Sequence, residues 1–194
     1  MQAAVFFEHG GIDKLQLADV PPPAVGPDDV LVRVHNVALN HLDLFVREGI
    51  PGLNLKLPHI GGSDVAGVVA EVGPQVVGVQ VGQRVVINPS LWCGHCEACI
   101  RGEHPLCDTF GILGEHAPGG AAEYVAVPAR NILPIPDTLD FPEAAASPLV
   151  FVTAWRALMT QAQLRAGETI LILGASGGVA SAAIQIARLA GAYV

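Results

Sequence analysis

Short apolar runs broken by glycine and proline set the pattern of the first part of this chain. Residues 2–7 and 15–20 read as strands separated by a turn at Gly10-Gly11. The proline-rich stretch Pro21 to Pro27 is a stiff connector, because proline cannot donate to a sheet ladder. Val30 to His35 then alternates β-branched and polar residues as a strand does. Asn40 to Glu48 has a helical pattern ended by Gly49, and the glycines and prolines of residues 50–62 mark a loop. Three β-runs follow at 64–73, 76–82 and 83–88, and residues 120–135 hold two more. Glycine every few residues among short strands points to a small barrel or sandwich rather than to βαβ units.

The texture changes near Pro136. Asp140 is placed to cap a helix over 141–147, with Pro142 in its first turn, and a second helical run covers 152–161. Glu168 to Leu173 is almost continuously apolar, the pattern of a parallel strand buried on both faces. A glycine-rich turn and a helix over 180–190 come directly after it. The expected organisation is a β-rich domain over residues 1–135 and the start of an α/β domain, incomplete here, over 136–194.

Composition changes this picture little. Half of the residues are hydrophobic, enough for a sizeable core and too many for a disordered chain. A formal charge of −8 argues against a general nucleic-acid binder and offers no attraction to anionic membranes. No apolar run approaches the ~18 residues of a membrane span. The first residues, Met1 to Glu8, lack the basic and apolar regions of a signal peptide, so a cytoplasmic protein is expected.

All four cysteines lie in one stretch, Cys93, Cys96, Cys99 and Cys107, spaced C-x2-C-x2-C-x7-C within a lobe over 91–110. Thiolates at this spacing suit one tetrahedral zinc, and four of them would fill its shell and leave no place for substrate. Such a zinc is structural. Two disulfides or an iron–sulfur cluster are the alternatives, disfavoured by compartment and spacing respectively. His95 and His104 fall inside the lobe and are expected to stand aside from the metal.

Between the apolar strand and the last helix stands Gly174-Ala-Ser-Gly177-Gly178-Val179-Ala180. This G-x-x-G-x-x-A turn has the strand-turn-helix context in which a dinucleotide's pyrophosphate meets a helix N-terminus. It departs from strict G-x-G-x-x-G and lacks the lysine of a nucleotide-hydrolysing loop. Gly174, Gly177, Gly178 and Val179 are the expected coenzyme contacts, for NAD or NADP.

The cysteine lobe, the β-rich first domain, the run Gly67-Val-Val-Ala-Glu-Val-Gly73 and the late glycine turn together resemble the medium-chain dehydrogenase/reductase superfamily, which contains the zinc-type alcohol dehydrogenases and the quinone oxidoreductases. The resemblance implies a GroES-like catalytic domain, a Rossmann coenzyme domain, NAD(P)-dependent hydride transfer between them, and a homo-oligomer, dimer or tetramer. It also implies that the chain is an N-terminal portion, inactive alone, because the residue selecting NAD or NADP would lie beyond Val194.

Zinc-type members hold a catalytic zinc with two cysteines and the histidine of a Gly-His-Glu triplet. The matching positions here are Asn40, Ser63 and Leu149, a poor donor set, and of their neighbours only Asp64 is a credible ligand. The stretch Ala38 to Asp43 and the triplet Gly62-Ser63-Asp64 instead resemble the quinone oxidoreductase branch, which reduces quinones or enones without catalytic metal and commonly lacks the cysteine lobe. The expectation is therefore one structural zinc, no catalytic zinc, and a carbonyl, enone or quinone substrate. A zinc-type enzyme with altered ligands and an inactive zinc-stapled interaction module are the alternatives.

By the same resemblance, Asn40 or Ser63 donates to a substrate oxygen, His41 approaches the coenzyme pyrophosphate and Thr153 approaches the nicotinamide. Asp43 closes the Asn40 turn and completes the candidate catalytic set, although its position suits a structural role. Asn40 also has the position of a helix cap. His116, in a glycine-rich loop, either reaches the cleft or is a solvated loop histidine.

Overall fold

The computed structural model describes residues 1–194, which divide into two compact units, Met1–Ala146 and Ser147–Val194. The first unit is built around β3 (Asp29–Ala38), the longest strand. Strands β1 (Gln2–Phe6) and β2 (Leu15–Asp19) precede it, and helix α1 (His41–Glu48) follows it. Then come β4 (His59–Ile60), β5 (Asp64–Val72), β6 (Arg84–Ile87), β7 (Ser90–Leu91), the short helix α2 (Glu97–Ile100), β8 (Gly111–Ile112), β9 (Tyr124–Pro128), β10 (Ile132–Pro134) and helix α3 (Phe141–Ala145).

β3 pairs antiparallel with β5 on one side and β9 on the other, in a five-stranded sheet of order β10-β6-β5-β3-β9. Val30 and Val32 of β3 are fully buried while Arg33 and His35 are exposed, the period-2 alternation legible in the sequence. Val65, Val69, Val85, Ile87, Val125 and Val127 join them in one core of mostly β-branched side chains. These residues are stiff at χ1 and pack well on a pleated surface, which is why a chain this rich in valine folds as sheet. A second sheet, β2-β1-β4, and the two-stranded pair β7-β8 complete the unit.

Two expectations for this unit change. Residues 76–82 form no strand: they are irregular, bend at Gly78 and end in a turn at Val81-Gly82. Gly78 and Gly82 take φ of +83° and +87°, which breaks an extended run, and only Val76 and Val79 reach the core. The compact division also falls later than the change of texture at Pro136. The Asp140 carboxylate caps α3 by accepting the Glu143 N–H at 2.8 Å, and Ala144 and Ala145 then pack on Ala66 and Ile135. This helix therefore belongs to the first unit.

The second unit holds α4 (Pro148–Trp155), which runs into a π-helical turn over Arg156–Gln161, and α5 (Gly178–Leu189). Ala154 and Leu158 pack on Ala182, Ala183, Ile186 and Ala187. The segment 168–173 corrects another expectation. It is extended but makes one parallel bridge, Thr169 with Tyr193, and only one of its faces is covered. Ile170 and Ile172 pack on the helices, whereas Leu171 and Leu173 are 83% and 80% exposed.

Candidate functional site

The cysteine lobe is an excursion from the first unit, closed at its base by the β7-β8 pair, in which Ser90 faces Ile112 and Leu91 faces Gly111. Within it the Sγ atoms of Cys93, Cys96, Cys99 and Cys107 all lie within 4.8 Å of one another. A tetrahedral zinc with bonds of ~2.3 Å needs sulfurs about 3.8 Å apart, and the Cys93–Cys99 pair stands at 3.8 Å. That separation is far beyond a bonded disulfide, and all four thiols are free. Sulfurs this close suit one ion rather than a cube of irons.

Backbone donors already face the sulfurs. The N–H groups of His95 and Cys96 point at Cys93 Sγ from 3.5 and 3.3 Å, and the Cys93 N–H points at Cys107 Sγ from 3.3 Å. The Cys93 N–H, helped by Thr109, holds the Cys107 thiol down to about 6. The Cys99 N–H lowers the Cys96 thiol, whereas burial pushes the Cys99 thiol up to about 12. The donor set thus fits a structural zinc, whose charge would remove the remaining proton. His104 stacks on Trp92 with ring centroids 4.4 Å apart, and His95 Nδ1 lies 3.1 Å from the Cys93 carbonyl.

A second group of candidates assembles where α1 begins. Asn40 is the residue before the helix, and its Nδ2 donates to Asp64 Oδ2 at 2.9 Å. Asp43, one turn on, accepts the Asn40 N–H at 2.7 Å through Oδ2 and the Gly62 N–H at 2.9 Å through Oδ1. Both oxygens of Asp43 therefore bind backbone, and the carboxylate ties the helix start to the turn Gly62-Ser63-Asp64. That turn is tight. Gly62 has φ +94°, and a Cβ there would lie 2.9 Å from the Ala121 backbone nitrogen.

Asp64 is 1% exposed and Ser63 is fully buried, its Oγ without a partner. Asn40 is half-buried, His41 is exposed and His116 is exposed beside Glu115. The set Asn40, Asp43, Ser63 and Asp64 offers one amide, one hydroxyl and two carboxylates, one of which is committed to backbone. It does not fit the sulfur- and nitrogen-rich shell of a catalytic zinc.

In the second unit the glycine turn is exposed from Gly174 to Val179. Gly174 takes φ +70°, and the Gly177 N–H donates to its carbonyl at 2.8 Å. A Cβ on Gly178 would lie 2.9 Å from Val150, so glycine there lets α5 approach α4. The first N–H groups of a helix have no partner within it. The turn thus offers open backbone and a helix N-terminus to an anion, a donor set that fits a dinucleotide pyrophosphate. Thr153 is exposed on α4. The chain pattern did not single out Arg130 and Asn131, which hold the approach to the cysteine lobe; a lone Arg-Asn pair in a short turn carries no periodic signal.

A β-rich unit with a four-cysteine lobe defines a GroES-like dehydrogenase class. Residues 26–137 match the alcohol dehydrogenase GroES-like domain, and the chain belongs to this family, within the medium-chain dehydrogenase/reductase superfamily. It is 38% identical over 182 residues to an alcohol dehydrogenase of Geobacillus stearothermophilus, covering 93% of this chain and 53% of that protein. It is 36% identical over 195 residues to a quinone oxidoreductase of Rattus norvegicus, covering 100% of this chain and 51% of that protein. A crystal structure of an NAD-dependent alcohol dehydrogenase superposes with TM-score 0.96 at 49% identity, covering 99% of this chain and 56% of that one. The chain thus spans about half the length of the curated relatives it matches. No helix is long and apolar enough to cross a membrane.

Proposed function

We propose that this chain carries the substrate domain, and the start of the Rossmann coenzyme domain, of an NAD(P)-dependent oxidoreductase that keeps a structural zinc and works without a catalytic one. The substrate class is a carbonyl, enone or quinone. The observation that carries this reading is the hydrogen bond from Asn40 to buried Asp64, at the position where zinc-type relatives place a metal ligand.

NAD or NADP, when bound, supplies the hydride donor or acceptor at its nicotinamide ring. The chain's own residues then have distinct tasks. The Asp64 carboxylate fixes which end of the Asn40 amide faces inward, and an amide has a second N–H to offer a substrate oxygen. Asp43 holds the helix start that presents Asn40. Ser63 is fully buried, so the donor role falls to half-buried Asn40. Gly174, Gly177, Gly178 and Val179 offer backbone to the coenzyme pyrophosphate, with His41 and Thr153 as further coenzyme contacts. Cys93, Cys96, Cys99 and Cys107 hold the zinc.

The test is a fluorescence titration with NADH and NADPH of this chain continued by the rest of a coenzyme domain. Oxidation assays against a quinone, an enone and an aldehyde follow. Binding of one coenzyme and turnover of at least one acceptor support the proposal. Failure to bind either would replace it with a zinc-stapled interaction module.

A further inference from the structure

The corner between β9 and β10 is a turn over Ala129–Asn131 that lies outside the cysteine lobe in sequence, yet its side chains reach the lobe's entrance. Asn131 is fully buried, and its Nδ2 donates to the carbonyls of Asn88 at 2.7 Å and Ser90 at 2.5 Å. Its own carbonyl accepts the Asn88 N–H at 2.8 Å, and Asn88 Oδ1 in turn accepts the Ser90 N–H at 3.0 Å. The segment leading to the first cysteine is thereby held through the backbone of both Asn88 and Ser90. The fold accepts a cost for this, since Asn131 Oδ1 is buried without a partner.

Arg130 continues the grip. Its Nη2 donates to the Trp92 carbonyl at 2.6 Å, and its guanidinium lies over the Trp92 ring, 5.6 Å from the centroid. The same ring stacks on His104 at an interplanar angle of 10°. Trp92 directly precedes Cys93, and the His104 carbonyl accepts the Cys107 N–H at 3.0 Å. Trp92 and His104 thus tie together the residues leading into Cys93 and Cys107, and Arg130 fastens that pair to the β9-β10 corner.

We propose that Arg130 and Asn131, acting through Trp92 and His104, are positioning residues that hold the Cys93 and Cys107 limbs converged for zinc. The inference rests on the structural-zinc reading. Four thiols must be ordered before one ion can bind them all, and a limb fixed by the fold spares the metal that entropy. Outer residues that orient metal ligands typically change metal affinity by 10–100-fold when removed. Arg130 suits the task because a planar guanidinium can donate and stack at once, which an ammonium cannot.

The experiment follows zinc transfer from the full chain to a chromophoric chelator. Arg130→Ala should release zinc about tenfold faster than the parent chain, and Arg130→Lys should fall between the two. The control is Arg84→Ala. Arg84 also lies over an aromatic ring, Phe141 at 4.9 Å, and donates to a carbonyl, that of Leu139, but it does not contact the lobe. Arg84→Ala should lower the melting temperature and leave zinc release unchanged. Should Arg130→Ala fail to fold, His104→Ala carries the same expectation.

Release from Arg130→Ala at the parent rate, or equal acceleration by Arg84→Ala, overturns the clamp and leaves the zinc reading standing. A parent chain that binds no zinc overturns the zinc reading instead. The clamp is then judged on thiol alkylation of the metal-free chain, which Arg130→Ala should speed if the limbs are held and leave unchanged if they are not.

Discussion

The Asn40 amide nitrogen lies 2.9 Å from a carboxylate oxygen of Asp64, a residue only 1% exposed. A carboxylate only accepts, so the amide has one orientation at this contact and its carbonyl oxygen points elsewhere. A flexible polar side chain thereby becomes a fixed donor. Asn40→Ala should lower kcat by about 100-fold in the active enzyme, the usual cost of losing one oxyanion donor. Coenzyme affinity should stay nearly unchanged. Steady-state kinetics with a coenzyme titration check both, and unaltered turnover would leave Asn40 as the residue that starts a helix and nothing more.

Asp43 is expected to separate from Asn40 in such measurements. Its carboxylate accepts two backbone N–H groups, and bonds to a charged acceptor contribute about 1.5–3 kcal/mol each. Asp43→Ala should therefore destabilise the first unit by about 3 kcal/mol, read from urea unfolding of the chain. Asp43→Asn should recover part of that loss by keeping one oxygen acceptor. An acid–base role would instead appear as lost turnover at unchanged stability.

Metal analysis of the purified chain should find about one zinc per molecule; two would overturn the proposal that it works without a catalytic zinc. Burial pushes the Cys99 thiol up to about 12, so it carries a proton at neutral pH that zinc must displace. Zinc loading of the metal-free chain in weak buffer should therefore release protons. Calorimetry in buffers of different ionisation enthalpy measures that release, and Cys99→Ser should reduce it together with affinity.

His59 gives a pH signature of its own. It is 3% exposed, its Nε2 is 3.0 Å from the Gly114 carbonyl and its ring packs 5.5 Å from that of Phe6. Burial lowers its pKa below the ordinary 6.5, opposed by the Gly114 carbonyl and assisted by nearby His9. The folded chain therefore prefers neutral His59, while the unfolded chain takes up a proton near 6.5. Its contribution to stability is fully present above that pH and is lost as pH falls through the lowered folded value. Melting temperature measured from pH 8 downward should drop below ~6.5, and His59→Gln should flatten that part of the curve.

The strands of the first unit were legible because alternation writes itself into sequence: Val30 and Val32 inward, Arg33 and His35 outward. The run 76–82 misled because valine content alone reads as strand, whereas two glycines with positive φ decide the backbone. Glu168 to Leu173 misled for another reason. Its apolar residues call for cover on both faces, and the described chain covers only the face of Ile170 and Ile172. At the sites, cysteine spacing announced the convergence of four thiols, and the glycine turn announced itself by its place before α5. The contacts of Arg130 and Asn131 are a tertiary arrangement between residues about 40 positions apart, with no local pattern to betray them. The same is true of the bond from Asn40 to Asp64.

The two-rung ladder at the base of the cysteine lobe has an evolutionary consequence. Ser90 faces Ile112 and Leu91 faces Gly111, so everything between them leaves and re-enters the sheet at adjacent points. Ladder partners lie about 5 Å apart, a gap that a tight hairpin turn spans. The lobe is accordingly a removable module: a lineage can excise it and reseal the chain with a short turn without disturbing the five-stranded sheet. This also makes the lobe the place to splice in foreign loops.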